Sequence, residues 1–237
     1  MSTKHYTRLS AQRIIETLEK LNLRIVERFS NAGLAHVCTS LIETARFCAR
    51  DAAKLSRPDY VWRAAALALA LGGVAAQVMA FRFLHLEDQH WSAPDLVQGL
   101  EAAVNLLILF GGAIWFLLTL EERAKRERVL GALHRLRSLA HVIDMHQLTK
   151  DPTVLLAGAN RTGASPERTM TRFELTRYLD YCAEMLALIG KLGALYAERT
   201  RDSVVIEAVN DIENLTTGLG RKIWQKITII GALEEHR

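Results

Sequence analysis

The sequence predicts an all-α membrane protein: a two-helix transmembrane hairpin with a cytoplasmic helical bundle formed by the N- and C-terminal helices. Three observations predict it. Ala64–Phe81 is 18 residues without a charge and Ala102–Leu120 is 19, and uncharged apolar runs of about 18 residues or more can cross a bilayer as helix. Lys and Arg are unevenly spread around those runs. The four prolines (Pro58, Pro94, Pro152 and Pro166) all fall outside the periodic apolar segments, so the stretches between them can be helix. The chain has 237 residues, half of them apolar. That fraction is ordinary; its concentration in two runs is not, and it excludes an ordinary soluble enzyme, a disordered chain and a disulfide scaffold.

Residues 1–60 read as N-terminal cytoplasmic helices. Ile14, Leu18, Leu21 and Ile25 repeat at 4-3-4 spacing, the stripe of an amphipathic helix. Ser30-Asn31-Ala32-Gly33 reads as a break. A second helix then places Leu34, Val37, Cys38, Leu41, Ile42 and Ala45 on one face. The first twenty residues carry charge throughout and have no apolar core of a signal peptide, so the first span is expected to act as its own insertion signal.

Residues 61–120 form the hairpin, with spans 64–81 and 102–120 and an outer loop 82–101. Eleven Lys and Arg precede the first span in residues 1–63, one (Arg82) lies in the loop beside Glu87, Asp88, Asp95 and Glu101, and six lie in residues 121–140. The positive-inside rule then puts both termini in the cytoplasm, with the bacterial inner membrane as the expected location. Trp62 and Trp91 fit interfacial anchors. The net charge of +4 is read as topology and attraction to anionic lipid, not as a direct nucleic-acid footprint.

Residues 121–237 read as a cytoplasmic helical domain with a linker at 148–170. Val129, Leu133, Leu136, Ala140 and Ile143 form a coiled-coil-like stripe on a helix continuous with span two. Thr171 and Glu174 form a capping box for a helix to about Arg199. Asp202 or Ser203 caps a last helix, whose stripe of Val205, Ala208, Ile212, Leu215, Leu219, Ile223, Lys226 and Ile230 is apolar except at Lys226. Gly218 and Gly220 lie on or beside that stripe and are expected to loosen it.

In the first span, Ala64, Ala68, Gly72, Ala76 and Ala80 repeat every four residues, the pattern of a small-residue face that admits close helix approach. Aligning the span midpoints sets Gly72 and Gly73 opposite Gly111 and Gly112, for packing within the hairpin or between protomers. Gln77 and Asn105 are the amides within the spans. At similar depth in lipid, they should bond to each other, to a neighbour or to water. In the linker, Arg161 and Arg168, with Arg172 just beyond it, are candidates for an acidic partner or a phosphate. His134, His141, Asp144 and His146 cluster in sequence, but His146 is turned away from His141, and a polar helix face is the simpler reading. No catalytic, cofactor or metal motif is present. Cys38, Cys48 and Cys182 are too few and too scattered for a disulfide framework or a zinc knuckle.

In outline, the helical N-terminal arm, the spans 64–81 and 102–120, the short outer loop and the helical cytoplasmic part resemble the SLATT group and related two-transmembrane effectors of bacterial anti-phage defence systems. The resemblance implies a regulated effector without an enzyme activity. It implies a homo-oligomer that permeabilises the inner membrane in abortive infection, controlled by a cytoplasmic protein partner. A membrane-anchored scaffold for cytoplasmic proteins is the alternative, in which the spans only anchor.

Overall fold

The computed structural model describes residues 8–30, 33–55, 58–85, 93–150 and 170–235. Among the described residues there are six helices and no strand: α1 Ala11–Arg28, α2 Gly33–Leu55, α3 Tyr60–His85, α4 Ala93–Leu148, α5 Arg172–Ala197 and α6 Ser203–Glu235. The protein is all-helical. Two of its helices are long and apolar enough to cross a membrane; the qualifying windows fall within Gly33–Met79 and Val97–Leu148 and are 11% and 0% buried. That exposure separates them from the core helices of a soluble protein, which would be mostly buried. The chain divides into two compact units, Met1–Ser56 with Arg128–Arg237, and Arg57–Glu127.

The larger unit is organised by its stripes. Ile14, Leu18, Leu21 and Ile25 of α1 are buried, as are Leu34, Val37, Cys38, Leu41, Ile42 and Ala45 of α2. They join Val129, Leu133, Leu136, Ala140 and Ile143 of α4 and the buried faces of α5 and α6 in one core. Each fully buried Leu or Ile contributes about 1.5–3 kcal/mol relative to exposure, against the entropy of ordering the chain. The expected break holds: α1 stops at Arg28 and α2 starts at Gly33.

Local chemistry sets the helix starts. The Ser10 side chain accepts the Arg13 N–H at the head of α1. At α5 the Thr171 hydroxyl accepts the Glu174 N–H, and the Glu174 carboxylate accepts the Thr171 N–H at 2.7 Å, a complete capping box. Those bonds, from the Thr171 N–H first and then its hydroxyl, hold the Glu174 carboxyl below the usual carboxylate range. Asp202 caps α6, its Oδ1 accepting the N–H groups of Val204 and Val205. α6 runs unbroken through Gly218 and Gly220.

Helix α5 owes its close approach to α6 to two glycines three residues apart. A Cβ on Gly190 would lie 3.1 Å from Thr216 Oγ1, and one on Gly193 would lie 3.7 Å from Ile212 Cγ2. The buried Thr216 hydroxyl is satisfied within its own helix, donating to Ile212 O at 2.9 Å. Lys226, the polar member of the α6 stripe, reaches the end of α4, where its Nζ donates to Gln147 Oε1 at 2.6 Å and to Gln147 O at 3.0 Å. An ammonium at a helix C-terminus is favoured by the exposed carbonyls there. Arg24–Glu184 (2.6 Å) and Arg46–Glu19 (2.7 Å) are half-exposed ion pairs worth at most about 1 kcal/mol each.

The smaller unit contains α3 and the first part of α4. Asp59 caps α3, its Oδ1 accepting the Val61 N–H at 3.2 Å. α4 is continuous from the second apolar run to Leu148, as the absence of Gly or Pro at that junction predicts.

Candidate functional site: the exposed faces of the apolar helices

The two helices of the smaller unit meet at Gly73 and, nearer the start of α3, at Asp59. Deep in the apolar stretch, Gly73 of α3 faces the Phe110 ring of α4: a Cβ on Gly73 would lie 2.9 Å from both Cγ and Cδ2 of that ring. Only a residue without a side chain fits there unless the ring moves. Near the foot, Glu121 of α4 is 6% exposed. Its Oε1 accepts the Asp59 N–H at 2.9 Å and a Lys125 Nζ hydrogen bond at 2.6 Å, and Arg63 Nε lies 3.8 Å from Oε2. Burial alone would raise the Glu121 carboxyl. The Asp59 N–H, the Lys125 bond and charge, and the Arg63 charge outweigh it and hold the group below the usual carboxylate range.

This clasp was invisible to a reading of the sequence. Glu121 stands among several charges after the second run, and nothing in their spacing separates a buried carboxylate from a solvated one. A signal was present all the same: an acid at the first position after an uncharged run has an apolar helix on one side of it.

The expected small-residue face is placed differently from the helix contact. Ala64, Ala68, Gly72 and Ala76 are exposed, and a Cβ on Gly72 would meet nothing within 4 Å. The side chain of Ala80 lies outside the described residues. Among the described side chains of α3 the less exposed positions are instead Trp62, Ala66, Leu69, Ala70, Gly73 and Gln77, with Ala66 and Gly73 buried. The midpoint alignment lands one residue from the observed contact, but the partner of Gly73 is an aromatic ring. Gly111 and Gly112 both face open space. Gly72 therefore does not oppose Gly111 and Gly112 within one chain.

Gln77 is half-buried and Asn105 is exposed, and among the described residues no hydrogen bond joins the two. Within this chain the Asn105 amide is left on the outer surface of an apolar helix.

The other candidates lie in the larger unit. Arg161 and Arg168 fall outside the described residues, and Arg172 is the half-buried first residue of α5. His134 and His141 are exposed. Asp144 Oδ1 accepts the Gln147 Nε2 hydrogen bond at 2.6 Å. His146 turns to Tyr178, its Nδ1 lying 3.5 Å from the hydroxyl. No group of three or more His, Cys, Asp or Glu arranged to hold a metal occurs among the described residues. Asp180 is paired with Arg177, and Glu184 with Arg24. The three cysteines are free and buried. Burial pushes the thiols of Cys38 and Cys182 up to about 12 and that of Cys48 to about 11.

Comparison with known proteins finds no matching family model, no similar curated protein and no similar solved structure.

Proposed function

We propose that this protein is a regulated membrane effector. Its α3 and the first part of α4 cross the bacterial inner membrane as a hairpin with both termini in the cytoplasm. The hairpins of several copies assemble and permeabilise the bilayer. The helical unit formed by the remaining segments is a cytoplasmic bundle that receives the activating signal from a protein partner. Anti-phage defence is the setting that the outline resemblance suggests.

One observation carries this reading: the apolar helices use one face for each other and leave a second, small-residue face open. The open face of Ala64, Ala68, Gly72 and Ala76 is exposed while Gly73 is spent on Phe110. Lipid offers no hydrophobic drive for helices to associate, so smooth faces and amides supply it. Asn105, exposed within one chain, is costly against lipid and gains a partner in an assembly. Support for the hairpin comes from the order of its contacts: residues at the start of α3 meet Glu121, and Gly73, further along α3, meets the earlier Phe110. That order suits an antiparallel pair.

A second reading, a membrane-anchored scaffold, draws on large apolar side chains left open on the helical unit: Leu23, Met145, Phe173 and Trp224 are each about three-fifths exposed. A voltage-sensitive dye separates the two in cells producing the protein with its natural trigger. The effector depolarises the membrane and the scaffold does not. Orientation has its own check, since a cysteine placed at Gln89 should be labelled from outside. Protection of residue 89 would reverse the topology.

A further inference from the structure

The larger unit contains a cavity of about 390 Å³, within the size range of small-molecule sites. Its polar lining is Lys150, His146, Thr149 and Tyr178, and its apolar lining is chiefly Met145 and Met170. Met145 and His146 lie in the last turn of α4, Thr149 and Lys150 just after it, Met170 just before α5 and Tyr178 within it. Gly33, the first residue of α2, closes the wall.

Three features make the cavity suited to an anion. Among the described residues that line it none is a carboxylate, and the nearby Asp144 is engaged by the Gln147 side chain. A lysine lines it: Lys150 Nζ sits 5.3 Å over the Tyr178 ring. The imidazole is set in place by the backbone, because a Cβ on Gly33 would lie 2.8 Å from His146 Cε1 and displace the ring. The Tyr178 hydroxyl, in a side chain only 3% exposed, stands 3.5 Å from His146 Nδ1, at the limit of hydrogen bonding. Donors from separate positions around one space suit an anion with several acceptor oxygens better than a planar carboxylate. The two thioether side chains provide a polarizable surface for an apolar body.

We propose that this cavity binds a small soluble phosphomonoester, with its phosphoryl group held by Lys150, His146 and Thr149 and its apolar body against Met145 and Met170. The site stands independently of the membrane-effector reading, since every residue in it belongs to the larger unit.

The test is isothermal titration of the full-length protein in detergent, at fixed ionic strength, with phenyl phosphate, inorganic phosphate and benzyl alcohol. Phenyl phosphate should bind saturably with one site per chain, inorganic phosphate more weakly and benzyl alcohol not at all. Lys150→Gln removes a charge-assisted contact and should weaken phenyl phosphate on the order of tenfold or more. His146→Gln should weaken it as well, and it carries the test if Lys150→Gln melts early. Absence of saturable phenyl phosphate binding would overturn the proposal. So would undiminished affinity in a variant that melts like the parent. Binding of phosphatidic acid vesicles without phenyl phosphate binding would assign the cations to a lipid surface and overturn it too.

Discussion

Gly72 and Gly73 are adjacent in sequence and should behave oppositely when enlarged. A leucine at position 73 must displace the Phe110 ring, because even a Cβ there comes within 2.9 Å of Cγ and Cδ2. Overpacking of this kind costs about 1–3 kcal/mol. In detergent, Gly73→Leu should lower the thermal stability of the α3–α4 pair, read by cysteine cross-linking between positions near 73 and 110. Gly72→Leu adds the same atoms where a Cβ would meet nothing within 4 Å. It should leave that cross-link intact and weaken association between copies instead, seen as a smaller mass by native mass spectrometry. Equal loss of the intrachain cross-link in both variants would refute the assignment of Gly73 to the helix contact and Gly72 to the open face. An unchanged mass for Gly72→Leu would remove the small-residue face from the assembly.

Other outcomes follow from the core and its titrating groups. Ile212→Asp or Leu133→Asp, each at a site 2% exposed, buries an unpaired charge and should destabilise the helical unit by about 2–4 kcal/mol; an unchanged melting temperature for both would contradict the shared core. With thiols at about 11 to 12 behind buried surface, the three cysteines should resist a thiol reagent at pH 8 until denaturant is added. Rapid labelling of the native protein would show the thiols to be accessible. The Glu121 carboxyl is lowered on folding, so its stabilisation is full above the ordinary Glu value of about 4.3 and is lost as pH falls through the lower folded value. Glu121→Gln should therefore flatten the acid limb of the stability curve below about pH 4. An identical acid limb in the parent and in Glu121→Gln would refute that linkage.

The stripes were readable because periodicity is a property of the chain itself. Val129, Leu133, Leu136, Ala140 and Ile143 could be placed on one face before their partners were known, and all five are buried. The continuity of α4 was readable from the absence of a breaker. The caps were readable from residue type: the Thr171–Glu174 pair as a capping box, and Asp202 as one of two candidates beside Ser203. Contacts between distant segments were not. Gly190 and Gly193 look like weak helix formers until Thr216 and Ile212 are set against them. Lys226 reads as a defect in its stripe until Gln147 accepts from it. In the spans, the small-residue repeat was legible but its partner was not, since an even face at every fourth position says only that something can approach closely. Which face meets Phe110 depends on how the two helices rotate, and span composition does not encode that rotation.

The most direct measurement replaces both apolar helices with an unrelated transmembrane hairpin of the same length, leaving residues 1–57 and 121–237 unaltered. Membrane potential is then read with a voltage-sensitive dye in cells carrying the natural trigger. Depolarisation by the parent protein and none by the chimaera, at matched levels of inserted protein, is the expected result. A chimaera that retains the parent's full biological activity would reduce the spans to an anchor and contradict the effector reading.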